Sequence, residues 1–223
     1  MTTYDGRTVL VTGAAGALGG GLVQAFVDAG AAVVGLDRVT PGGDRAVAGV
    51  DYRAVDLADD DAVAAELDDV PELWAVVHTV GGFAPAGSLA ELDVAELEGQ
   101  LAINLTTSAV VLKQALRRMQ AAGRGRIVLT ASRAAFQTKG VGFSYSASKL
   151  AVVHLVEMAA AEVSGTGVTV NAVSPSIIDT PANRAAMPRS DRGSWPTPAD
   201  IAPAYVFLAS ERAARVNGNI IAV

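Results

Sequence analysis

Cysteine is absent from the 223 residues. Disulfides, thiolate nucleophiles and sulfur-ligated metals are therefore excluded, and a cytoplasmic setting is expected. Histidine is scarce. His78 and His154 are the only two, 76 residues apart, and neither belongs to a metal-ligating spacing, so both read as structural and no metal site is expected. No Lys/Arg-rich run occurs and the formal net charge is −6, which argues against nucleic acid as a partner. No apolar run approaches the ~20 residues of a membrane span. The N-terminal M-T-T-Y-D-G-R lacks the apolar core of a signal peptide. Repeats, linkers and low-complexity tracts are also missing. Charged residues make up only 18% against 51% hydrophobic, so disorder is excluded and one domain over 1–223 with a large core is expected.

What is present alternates. Short β-branched runs occur at Arg7–Thr12, Ala31–Leu36, Val50–Val55, Leu73–Val77, Gly125–Thr130, Gly167–Val173 and Asn219–Val223. Between them lie helical patterns: Leu22, Val23, Phe26 and Val27 on one face, an acidic Asp59–Asp69, a long Val94–Met119, then Ser144–Ser164 and Pro196–Ser210. Thr180-Pro181 reads as a helix start, with Thr as N-cap and Pro at the first position. Strands alternating with helices predict an α/β fold, a single Rossmann-type, doubly wound and mainly parallel sheet covered on both faces.

A glycine-rich turn, T-G-A-A-G-A-L-G from Thr12 to Gly19, joins the first strand to the first helix. Gly13 permits the tight turn. Small residues at Ala15, Gly16 and Ala17 would let backbone N–H groups up to Leu18 approach a pyrophosphate, and Gly19 would let the helix pack closely on the sheet. A helix cap with packing glycines has the same composition. Asp37, 24 residues after Gly13, ends the second strand where a carboxylate would accept hydrogen bonds from an adenosine ribose. It would also repel a 2′-phosphate, favouring NAD(H) over NADP(H), while the adjoining Arg38 could pair with such a phosphate or stack on adenine. Gly81 and Gly82 directly follow the fourth strand and allow close approach of a ligand. Asn104 lies inside an otherwise apolar helix and needs a partner.

Tyr145 and Lys149 stand four apart, on one helical face. An ammonium beside a phenol favours the phenolate and lowers the Tyr pKa, giving a group that can exchange a proton with a carbonyl or alcohol near pH 7. An ordinary surface helix could carry the same pair.

Taken in order, T-G-A-A-G-A-L-G, Asp37, Asp56-Leu57, Asn104, Ser132, Y-S-A-S-K and N-A-V-S-P resemble the short-chain dehydrogenase/reductase family over nearly the whole chain. The resemblance implies a catalytic tetrad of Asn104, Ser132, Tyr145 and Lys149. In it Ser132 orients the substrate oxygen, Lys149 holds the nicotinamide ribose and keeps the Tyr145 pKa low, and Asn104 holds a proton-relaying water. It also implies cofactor contacts from the Gly13–Gly19 turn, Asp37, Arg38, Asp56, Leu57, Val80, Gly81, Gly82, Tyr145, Lys149, Pro175, Ile178 and Thr180. Two features depart from the commonest pattern: Ala17 stands where many members have glycine, and His78-Thr79-Val80-Gly81 replaces N-N-A-G. Within the family, G-A-L-G, G-G-F and I-D-T-P-A-N-R-A-A-M-P resemble the dihydropteridine reductase branch, which usually lacks the serine present here. The expected activity is NAD(H)-dependent hydride transfer to a small carbonyl substrate or from an alcohol. Reduction of a quinonoid pterin, or a non-catalytic dinucleotide sensor, are the alternatives. Phe83, Phe136, Phe143, Met187 and Trp195 are candidates to line the substrate pocket; core packing or lone surface exposure is the competing reading for each. A homodimer or homotetramer is expected, as is common in the family.

Overall fold

The computed structural model describes residues 4–85 and 87–223. Seven strands form one sheet: β1 (Thr8–Thr12), β2 (Ala32–Asp37), β3 (Asp51–Ala54), β4 (Leu73–His78), β5 (Gly125–Thr130), β6 (Val168–Ser174) and β7 (Ile220–Ala222). Their order is β3-β2-β1-β4-β5-β6-β7 and every pairing is parallel. The expected parallel, doubly wound sheet is thus observed, without an antiparallel edge. β1, β4, β5 and β6 are buried along their full length, which is why they read as continuous apolar runs and not as alternating ones.

Helices cover both faces. On one side α2 (Asp60–Asp69), α4 (Thr107–Ala122) and α5 (Phe143–Glu162) pack through Val63, Leu67, Val111, Leu112, Met119, Val152 and Val156. On the other, α1 (Ala17–Asp28) and α7 (Pro198–Leu208) bury Leu22, Val23, Phe26, Ile201, Tyr205 and Leu208. Trp74 closes that second core, its indole Nε1 donating to the Ala209 carbonyl at 2.7 Å. The two short helices are α3 (Val94–Gln100) and α6 (Pro181–Ala186). As its sequence suggests, α6 starts with Thr180 as N-cap, the hydroxyl accepting from Asn183 N, and Pro181 in the first turn. Among the described residues no helix is long and apolar enough to cross a membrane.

The long helix expected over Val94–Met119 needs correction. Its helical backbone is unbroken but changes winding: α3 passes into a π-helical turn, Leu101–Thr106, before α4. Such a turn inserts one residue into the helical repeat and is common at functional sites. Asn104 lies in it, fully buried.

The parallel order has a functional consequence. The switch between outward-running connections falls between β1 and β4, so the crevice beyond the carboxyl ends of the strands opens there. The turns after β1, β2, β4, β5 and β6 all meet at this edge.

Candidate active site

The turn after β1 is built around close backbone approach. Gly13 has φ 71°, and a Cβ there would stand 2.5 Å from Thr79 Oγ1. Gly16 caps α1 in an extended conformation and supplies no side-chain hydrogen bond. The first-turn amides of α1, at Ala17, Leu18 and Gly19, therefore keep their donors for an anion. A Cβ on Gly19 would run into the Gly13 carbonyl. Asp37, at the end of β2, braces this turn: its Oδ2 accepts from Ala15 N at 3.0 Å and its Oδ1 from Arg38 N at 2.7 Å. A carboxylate is thus fixed beside the phosphate turn, with the exposed Arg38 next to it. After β3, Asp56 is exposed and Leu57 buried. These residues fit a dinucleotide, with the cradle left open by the missing Cβ atoms.

The proposed chemical centre stands at the ends of β4 and β5. Lys149 is almost fully buried and its Nζ donates to the Thr130 carbonyl at 2.9 Å. Burial pushes its pKa down to about 8. Tyr145, one turn earlier on α5, is half-buried. Burial raises its pKa, with the neighbouring Ser132 hydroxyl pulling the other way. This corrects the expectation that Lys149 holds the phenol pKa down. The spacing does put both side chains on one face, but the ammonium is turned toward the end of β5, so desolvation dominates at the phenol.

Ser132 follows β5 in extended conformation and caps the short turn Arg133–Phe136, its Oγ accepting from Ala134 N at 3.2 Å. Ser146 Oγ in turn donates to the Ala134 carbonyl at 2.8 Å, which ties α5 to this turn and sets Ser132 against Tyr145. Arg133 N donates to the buried Pro175 carbonyl at 3.1 Å, joining the turns after β5 and β6.

Asn104 has every side-chain position engaged. Its Oδ1 accepts from Gly82 N at 2.9 Å, and its Nδ2 donates to Ser148 Oγ at 3.0 Å, Gln100 Oε1 at 2.9 Å and Gly82 O at 3.3 Å. The amide is a clamp on the turn after β4. A Cβ on Gly81 would lie 2.7 Å from Asn104 Oδ1 and 3.0 Å from Lys149 Nζ, so the glycine is what lets this turn pass between them. Val80 precedes it, half-buried and packed against the core.

Among the candidate substrate residues, Phe83 lies directly on the site. Its ring meets Tyr145 edge-on, centroids 5.3 Å apart, while half of the side chain stays exposed. Phe143 begins the helix of Tyr145, and Phe136 ends the turn that Ser132 caps; both are exposed. Met187 and Trp195 bound the segment after α6 and are half-buried. Ile178 accepts from Asn183 Nδ2 at 2.8 Å and joins the second core, so with Thr180 it is held in place at the start of that segment.

Three partners of the centre escaped sequence reasoning. Gln100 sits four residues before Asn104, a helical neighbour whose amide could have been paired with it. Ser148, inside Y-S-A-S-K, supports Asn104 from α5. His78 is buried, as expected of a histidine outside any metal-ligating spacing, but it links elements that sequence separation hides, as described below.

A glycine-rich strand-to-helix turn, an acidic strand end and a buried Lys with Tyr, Ser and Asn at the carboxyl edge of a parallel sheet are the layout expected of a nucleotide-dependent oxidoreductase. The short chain dehydrogenase family matches residues 7–191, and the chain belongs to it. It is 37% identical to a cis-4-hydroxycyclohexanecarboxylate dehydrogenase of Sinomonas cyclohexanicum, covering 97% of this chain and 94% of that protein. It is 35% identical to a D-threitol dehydrogenase of Mycolicibacterium smegmatis, covering 96% and 90%. A solved structure from Beutenbergia cavernae, named for NAD(P)-dependent gluconate 5-dehydrogenase activity and holding NADP at low occupancy, superposes with a TM-score of 0.87. It is 31% identical, covering 100% of this chain and 97% of that one. The protein is a pyridine-nucleotide-dependent oxidoreductase of this family. These relatives are other dehydrogenases, and none is a dihydropteridine reductase.

Proposed function

We propose that the protein interconverts a small secondary alcohol and its ketone with NAD(H), Tyr145 serving as acid and base. The observation that carries this is the gathering of Tyr145 and Lys149 on α5, Ser132 after β5 and Asn104 in the π turn at the carboxyl edge of the sheet. Residues Gly13, Ala15 to Gly19, Asp37, Gly81, Gly82, Pro175, Ile178 and Thr180 would hold the dinucleotide, and its nicotinamide supplies or receives the hydride when bound. Burial keeps the Tyr145 phenol protonated, the state that donates a proton to a carbonyl oxygen. Ser132, beside it, orients that oxygen and stabilises the charge that develops on it. Lys149 is still mostly protonated at neutral pH and presents an ammonium at the floor of the crevice. Asn104 fixes the floor by clamping Gly82, which in turn holds Phe83 against Tyr145 as an apolar wall. The named activities of the two relatives, on a hydroxycyclohexanecarboxylate and a polyol, support hydroxyl-bearing substrates. The presence of Ser132 favours carbonyl chemistry over quinonoid pterin reduction.

Asp37 supports the NAD(H) preference because a carboxylate at the end of β2, braced beside the glycine-rich turn, would repel a 2′-phosphate. Self-association as a homodimer or homotetramer would cover the exposed Leu150 and Met158 on the outer face of α5. The function is tested by replacing Ser132 with Ala and assaying NADH oxidation against cyclic and linear ketones and against quinonoid dihydropterin. Ketone reduction should fall on the order of 100-fold. Undiminished ketone reduction, or a wild type that reduces only the pterin, would overturn the reading.

A further inference from the structure

His78 ends β4 directly behind the centre and is 1% exposed. Its two ring nitrogens face different parts of the site. Nδ1 lies 2.8 Å from Thr12 Oγ1, at the end of β1 immediately before the phosphate turn. Nε2 lies 3.4 Å from Thr107 Oγ1, at the junction of the π turn and α4. Proton accounting settles the direction of both bonds. The Thr107 hydroxyl gives its single proton to Ile103 O at 2.7 Å, so toward His78 it can only accept. Nε2 must therefore carry the ring proton, leaving Nδ1 bare, and Thr12 must donate to it. The Thr12 oxygen is free to do so because its own acceptor contact is from Thr79 N at 3.3 Å. The chain runs from the phosphate turn through the imidazole to Ile103, one residue before Asn104.

The ring must also stay uncharged to keep Nδ1 an acceptor. Burial drives it that way, and Lys149 is the charged group that acts on it in the same direction. The backbone adds a second link: Thr130 Oγ1 donates to His78 O at 2.7 Å, and the Thr130 carbonyl holds Lys149 Nζ at 2.9 Å.

We propose that His78 is a positioning residue that sets the phosphate turn and the Asn104 turn in register as a neutral Nε2–H imidazole. It touches neither substrate nor coenzyme; it acts through Thr12 and Thr107. The inference rests on the oxidoreductase reading above.

The two arms can be separated by substitution. An asparagine amide places a polar atom near the position of Nδ1, so His78→Asn keeps the Thr12 arm and loses the Thr107 arm. A glutamine amide reaches the position of Nε2, so His78→Gln keeps the Thr107 arm and loses the Thr12 arm. With wild-type turnover of a ketone or alcohol in hand, the expected result is a crossed pattern. His78→Gln weakens coenzyme binding about five- to tenfold and loses less in kcat, whereas His78→Asn loses about five- to tenfold in kcat and less in coenzyme Kd. Equal losses in both parameters, tracking the fall in Tm, would show a merely structural histidine and overturn the proposal. A second measurement stands even if no substrate is found or a variant fails to fold. Nitrogen-15 NMR of histidine-labelled wild type, with His154 removed as His154→Gln for assignment, should show His78 as the neutral Nε2–H tautomer at pH 6. An Nδ1–H tautomer or a charged imidazolium there would overturn it.

Discussion

Replacing Asn104 by Ala removes the clamp on Gly82, and the size of the effect follows from the bonds lost. Three contacts are short, at 2.9, 2.9 and 3.0 Å, and a fourth is longer at 3.3 Å. Each good intramolecular bond contributes about 1 kcal/mol net, so the expected loss is about 3 kcal/mol, increased by any buried donor or acceptor left bare. For a chain of this size that is a fall in Tm of roughly 6–12 °C. Urea unfolding followed by tryptophan fluorescence at one fixed protein concentration measures it, since Trp74 lies in the core. A companion variant, Ser148→Ala, removes one of the same contacts, and the double-mutant cycle should return a coupling of about 1 kcal/mol. Coupling arises because Ser148 Oγ accepts from Asn104 while donating to the Tyr145 carbonyl at 2.8 Å, so the clamp reaches the helix that carries Tyr145. Well below its Tm the alanine variant should also lose turnover, because Phe83 is no longer fixed against Tyr145. A loss in stability under about 1 kcal/mol, or additive single variants, would refute the clamp.

Four further outcomes are expected. Asp37→Ala should reduce the NADH-over-NADPH ratio of kcat/KM at least tenfold, and an unchanged ratio would remove the carboxylate from coenzyme selection. Gly13→Ala should abolish coenzyme binding in a fluorescence titration, because a side chain is strained at φ 71° and its Cβ would strike Thr79. The Lys149 ammonium is disfavoured on folding, its pKa falling from 10.5 to about 8. The unfolded chain therefore binds more protons between these values, and stability should rise through that pH window by about 3 kcal/mol; Lys149→Met should flatten the rise in urea titrations at pH 7.5 to 10.5. His78 has the same sign at lower pH: its folded pKa lies below 6.5, so stability should fall as the pH drops beneath 6.5, and less steeply in His78→Asn.

The strands and helices were legible because a sheet buried on both faces leaves unbroken β-branched runs, as at Leu73–His78 and Gly125–Thr130. Their ends were less so. The Val168–Ser174 strand starts after Gly167 and runs one residue beyond the expected Val173, where hydrogen bonding to the edge strand decides and composition does not. The π turn was not legible, because Leu101, Leu105 and Val111 satisfy an α-helical pattern closely enough to hide one inserted residue. Spacing and family resemblance singled out Tyr145, Lys149, Ser132 and Asn104 as candidates, and the fold sets them along the carboxyl edge of the sheet. Where Lys149 Nζ points did not, since spacing fixes the face of a helix and not the acceptor, here Thr130 O. The His78 link was invisible for another reason: its partners lie 66 and 29 residues away.

Tyr145→Phe probes the centre most directly. It deletes only the phenolic oxygen, and the ring can keep its edge-on contact with Phe83. NADH fluorescence titration beside a turnover assay with a ketone that wild type reduces should give a Kd within about threefold of wild type and a kcat lowered by at least the 100-fold to 10,000-fold typical of losing an acid–base group. A phenylalanine variant that turns over at near the wild-type rate would contradict the assignment of Tyr145 as the proton donor.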